Sequence, residues 1–115
     1  LEAIKSGNVI ISSDLYAIPE MVIDDYNGYL VGPKYRFFDY DNMPNKQVWN
    51  NRKDTIYSDY FDKNIIKFLF EKISYLNNNR RKLYELALNS WTKSNEGELS
   101  DEYIKNKWKQ LIESI

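Results

Sequence analysis

The sequence contains no cysteine and no histidine among its 115 residues. The first absence excludes a disulfide scaffold, a thiol nucleophile and a cysteine-ligated metal. The second removes the commonest general acid–base side chain and leaves any metal to carboxylates alone. Asp59 and Asp62 have the spacing of such a pair, but acidic residues opening a helix complement its dipole, so neither a metal nor a cofactor is expected. Charge of one sign is also missing: 16 basic residues stand against 17 acidic ones. A field strong enough to draw in nucleic acid is therefore excluded. Long apolar runs are absent too. The longest, around Val9–Ile11 and Phe68–Phe70, fall far short of the roughly 20 residues that span a bilayer. No transmembrane segment or signal peptide is expected, and the missing initiator Met suggests a processed or excised piece. The setting expected is cytoplasmic, with a peripheral position on the inner face of the membrane as its variant.

The chain has the length of one modest domain and is too short for a two-domain enzyme. Glu2–Ser6 reads as a helix end closed by Gly7, because glycine can take the left-handed conformation of a helix C-terminus. Val9–Ser12 is a β-branched apolar run of the kind a strand buried on both faces requires. After a loop at Asp14–Ala17, Pro19 suits the first turn of a short helix, Pro19–Ile23. Asp24–Asn27 with Gly28 is a turn cluster, with Asn27-Gly28 read as a positive-φ turn, and Gly28–Val31 is a second strand. Residues 1–33 are thus read as a partial α/β core.

From Lys34 to Tyr57 both periodicities vanish. Tyr35, Phe37, Phe38, Tyr40 and Trp49 mix there with Asn, Asp, Arg and Lys, a composition too aromatic for disorder. The stretch is expected to be an irregular, ordered insertion that packs on a partner domain or neighbouring chain. Contact with an acceptor is its second role. Residues 58–115 read as three helices. Ser58 or Asp59 would cap the first, Leu83, Leu86, Ala87 and Trp91 share a face of the second, and Ser100 caps the third. Phe61, Phe68, Trp91 and Trp108 are the expected core aromatics.

One constellation reaches beyond fold class. Glu2-Ala3-Ile4-Lys5-Ser6-Gly7, Val9–Ile11, Ser13-Asp14, Tyr16-Ala17, Pro19-Glu20 and Asp24–Val31 follow one another in the order of a known pattern. The segment resembles the C-terminal, donor-binding domain of family-4-type glycosyltransferases of the GT-B fold. In that pattern a glutamate precedes a small-residue helix and a Gly. A buried strand, a Ser/Thr-Asp step, a glycine pair, Pro-Glu and an acidic turn ending in Asn-Gly then follow. Here Tyr16-Ala17 stands where the family has its glycine pair, and Lys34–Tyr57 is longer than the usual connection.

The resemblance implies the C-terminal half of a Rossmann-like domain, two short parallel strands followed by a three-helix tail. It further implies a retaining transferase that moves a hexosyl group from a nucleotide-diphosphate sugar to a glycan or lipid-linked acceptor. Glu2 would accept hydrogen bonds from the donor's ribose hydroxyls, which an ionised carboxylate does well. Without the resemblance it is a solvent-facing glutamate at a helix end. Ser13 and Asp14, beyond the carboxyl end of the first strand, are read either as donor contacts or as a loop and cap for the Pro19 helix. No residue in the chain is assigned as general acid or base. The rest of the site would come from the N-terminal part of the enzyme or from a partner chain. A nucleotide-sugar epimerase on the same fold and a non-catalytic interaction module are the alternatives.

Overall fold

The computed structural model describes every residue from Leu1 to Ile115 and shows an α/β arrangement. Six helices accompany a parallel two-stranded sheet. Helix α1 (Glu2–Lys5) leads into β1 (Ile10–Ser13), α2 (Ile18–Met21) crosses over, and β2 (Gly28–Val31) pairs with β1. Then come α3 (Lys46–Asn50), α4 (Lys63–Asn78), α5 (Arg80–Asn95) and α6 (Asp101–Glu113). This layout is compatible with part of a Rossmann-like fold. No helix is long and apolar enough to cross a membrane.

The turn after α1 follows from Gly7. At φ 74° it lets its own N–H reach the Ile4 carbonyl and the Asn8 N–H reach that of Ala3, the paired bonds that close a helix in a Schellman turn. Strand pairing sets Ile10 against Gly28 and Ile11 against Tyr29. On one sheet face Val9, Ile11 and Tyr29 meet Phe68 and Leu76 of α4 and Leu83 and Leu86 of α5. β1 was expected to be buried on both faces, yet its four residues are only half-buried. A sheet of two strands has only one neighbour to cover each of them.

Gly28 behaves differently from the expectation. It carries no positive φ; the left-handed residue of this turn is Asp25, at φ 57°. Glycine is needed at 28 because a Cβ would lie 2.2 Å from the Ile10 carbonyl oxygen and 2.8 Å from Val22. Asn27, fully buried, accepts from the Ile23 N–H at 2.7 Å and donates to the Met21 carbonyl at 3.0 Å. It therefore folds the turn around its own amide.

Polar side chains of α5 hold the N-terminal segment in place. Ser90 Oγ donates to the Asn27 carbonyl at 3.1 Å, Ser94 Oγ to Ile4 at 3.2 Å, and Asn89 Nδ2 to Tyr26 at 2.7 Å. Leu86, Ser90, Lys93 and Ser94 are the buried residues of this helix. The expected stripe through Trp91 is only partly right, because Trp91 is half-exposed.

Two further core assignments fail. Phe61 is 85% exposed and Trp108 is 62% exposed. Phe61 precedes α4, whose cap is Asp62 and not Ser58 or Asp59, so the residue lies outside the helix that was to bury it. Helix α6 has no buried residue at all, although Ser100 does cap it, accepting from the Tyr103 N–H at 3.2 Å.

Candidate functional site

Open parallel sheets place ligands beyond the carboxyl ends of their strands. A cleft of about 690 Å³ lies there, between the loop after β1 and the 34–57 insertion. Asp14, Leu15, Tyr16 and Pro19 line it after β1, with Asp24, Leu30 and, from the insertion, Arg36 to Tyr40 and Asn42.

The insertion has structure of its own. Asn45 caps α3 by accepting from the Val48 N–H at 3.2 Å, and Phe38 pairs with Pro44 in a single β-bridge. Phe37 packs on Trp49 at 4.8 Å between ring centres, and Trp49 Nε1 donates to the Phe37 carbonyl at 2.8 Å. Expected to be irregular, the stretch thus carries a helical turn and a small aromatic cluster. Its neck is closed by Asp62, whose carboxylate caps α4 and also accepts the Lys34 N–H at 2.7 Å. That bond from Lys34, with those from Ile65 and Asn64, holds the Asp62 carboxyl below the ordinary carboxylate range.

Asp14 joins the insertion to the sheet. Arg36 donates through one nitrogen to Asp14 Oδ1 at 2.5 Å and through another to the Asp14 carbonyl at 3.0 Å. Tyr40 donates its hydroxyl to Asp14 Oδ2 at 3.1 Å, and the Arg36 guanidinium lies 4.0 Å from the centre of the Tyr40 ring. Both carboxylate oxygens of Asp14 are thus engaged within the chain. The insertion packs on the end of β1.

Helix α2 is capped without help from Asp14: its N-cap is Ala17, and no side chain bonds there. Ser13 is the last residue of β1, in register with Val31. Glu2 opens α1 with its side chain exposed and is not part of the cleft wall. Of the three expected donor-binding residues, only Asp14 lines the cleft.

Sequence reading missed Asp24, Asp39 and Tyr40 as members of one cleft. Tyr35–Tyr40 did carry a signal, a dense aromatic and charged run after a strand. Its partner across the cleft could not be inferred, because the Asp14–Arg36 pair joins residues far apart in sequence. Tyr16 is the other informative wall residue. Its backbone sits at φ 52°, where bulky side chains are rare, and its side chain is 72% exposed.

The acidic turn beside the cleft is stiffened by its own bonds. Asp24 accepts from the Leu30 N–H at 2.8 Å, and Tyr29 donates its hydroxyl to Asp25 at 3.1 Å. Burial, then the bond to Asp25, pushes the Tyr29 phenol up to about 12. Lys82 reaches Asp25 and Glu85 from α5, and its bond to Glu85 raises the ammonium above its ordinary range. No three acidic side chains converge closely enough to hold a metal ion. No protein-family model, curated protein or solved structure matches this chain.

Proposed function

We propose that this chain is part of the donor-binding domain of a retaining glycosyltransferase that moves a hexosyl group from a nucleotide-diphosphate sugar to a glycan or lipid-linked acceptor. The observation that carries this reading is the parallel strand pair with the Ser13-Asp14 step at its carboxyl edge, where such sheets place their ligands. The order of the motif supports it: glutamate-led helix, strand, Pro-Glu helix, acidic turn, strand. Tyr16 supports it as well, since the backbone takes positive φ where the family pattern has glycine. Glu2 and Ser13 are proposed to touch the donor, with Asp14 anchoring the insertion beside Ser13. Diphosphate-binding cations, acid–base groups and the acceptor site would lie on the N-terminal part of the enzyme or on a partner chain.

The uncovered surfaces fit such a partner. Ile66, Phe70 and Ile73 form an exposed apolar stripe on α4, and Ile104, Trp108, Leu111 and Ile112 another on α6. The same stripes favour a second reading, a non-catalytic interaction module. One experiment separates the two. The intact protein is incubated with a panel of nucleotide-diphosphate sugars and acceptors, and transfer is followed together with anomeric configuration. Transfer with retention, weakened about tenfold by Glu2→Ala, is expected, a loss equal to one charge-assisted hydrogen bond. Absence of donor binding and turnover across the panel would leave the interaction module.

A further inference from the structure

We infer that the cleft between Asp14 and Tyr40 binds a neutral saccharide and not a phosphate-bearing ligand. This goes beyond donor binding and rests on the cleft alone.

Its volume, about 690 Å³, lies within the range of small-molecule sites. Two of its lining residues present aromatic rings to solvent: Tyr16 is 72% exposed and Tyr40 is 75% exposed. Tyr40 is also fixed in place, with its hydroxyl on Asp14 and one ring face under the Arg36 guanidinium. The exposure therefore belongs to the opposite face and the edge. Tyr16 occupies a left-handed backbone position that a loop would ordinarily give to glycine. Its ring has so little contact with the rest of the chain that packing does not account for a tyrosine there. A ring platform for a ligand does.

Charge then selects the ligand. Asp14, Asp24 and Asp39 face the cleft against one cation, Arg36. That guanidinium is already committed to Asp14 Oδ1, the Asp14 carbonyl and the Phe38 carbonyl. No free cation remains to meet a phosphate, and the net field repels one.

What remains are aromatic faces and unused carboxylate oxygens. Asp24 bonds Leu30, and Asp39 bonds Asn45 at 3.2 Å, each through its Oδ1. Their second oxygens are free to accept from hydroxyls. A sugar ring offers both complements: a C–H face that lies on the negative face of an aromatic ring, and hydroxyl donors around its rim.

The test titrates the ¹⁵N-labelled full chain with maltotriose, cellotriose and diacetylchitobiose, and separately with UDP. Saturable shifts at Tyr16, Phe38, Asp39 and Tyr40 are expected with at least one saccharide and not with UDP. Tyr16→Gly keeps the backbone and should weaken binding about tenfold, whereas Tyr16→Phe keeps the ring and should bind like the parent. A cleft unresponsive to all three saccharides at about 10 mM, or one shifted by UDP, overturns the inference. Saccharide binding without donor turnover would retire the transferase proposal and leave this one standing. Donor turnover with an unresponsive cleft would do the reverse.

Discussion

Breaking the Asp14–Arg36 pair should release the insertion and leave the rest of the fold in place. The two side chains are 19% and 15% exposed, so the pair lies between two regimes. Exposed ion pairs contribute at most about 1 kcal/mol, while removing one partner of a buried pair costs about 3–5 kcal/mol. Asp14→Ala also strands the Tyr40 hydroxyl, and Arg36→Ala also loses the bonds to the Asp14 and Phe38 carbonyls. Each single change should therefore cost about 2 kcal/mol, with a coupling of about 1.5 kcal/mol in the double-mutant cycle. The loss should be local. Amide exchange at Asp39, Asn45 and Trp49, whose N–H groups bond Met43, Phe37 and Asn45 within the insertion, should speed up about 30-fold. Exchange in α5 should not change. If Asp14→Ala left those three amides within about twofold of the parent while donor binding fell, the carboxylate would be a ligand group and not an anchor.

Two further outcomes test the fold. Gly28→Ala places a Cβ 2.2 Å from a backbone oxygen of the neighbouring strand, which cannot retreat without breaking register. A loss of about 3 kcal/mol is expected in urea denaturation; less than about 0.5 kcal/mol would show that the strands part freely. Tyr29 tests burial in a different way. Its phenol is raised from 10.0 to about 12, so the neutral form is favoured by folding. The stability this gives is complete below pH 10 and is lost as pH rises towards 12. In a phenolate absorbance titration one of the ten tyrosines should ionise late, and Tyr29→Phe should remove that component. Ionisation of all tyrosines in a single step with the fold intact would refute the desolvation of Tyr29.

Local signals in the sequence were legible where a short stretch decides the outcome alone. Gly7 closes α1 through its own φ, Pro19 enters the first turn of α2, and Ser100 caps α6 with its own hydroxyl. What escaped depends on distant partners. The buried face of α5 is written in Ser90, Lys93 and Ser94, which an apolar stripe cannot reveal, because their burial depends on carbonyls at Asn27 and Ile4 and on Glu98. The cap of α4 moved to Asp62 because that carboxylate is also wanted by the Lys34 N–H. In the candidate site, Asp14 was visible from its position after a strand, but its bond to Arg36 was not. The anchoring of the insertion by Asp14 shows only when both ends of that pair are placed.

The balance of polar and apolar surface has a consequence for the molecule as a whole. Only 12 of 115 residues are buried, and five of these are Asn27, Ser90, Lys93, Ser94 and Ser100. The radius of gyration is 17.5 Å, well above the roughly 13 Å of a compact domain of this length. The chain is flat, with extents of 48 × 46 × 19 Å. Polar side chains are thus satisfied inside, between α5 and the N-terminal turn, while Phe70 of α4 and Trp108 of α6 face outward. A hydrogen bond inside a fold contributes only about 1 kcal/mol net, so such contacts fix register better than they supply stability. Two stripes of apolar surface that could supply it lie on α4 and α6, where nothing in the chain covers them. A covering surface from a larger fold or a partner would add that stability.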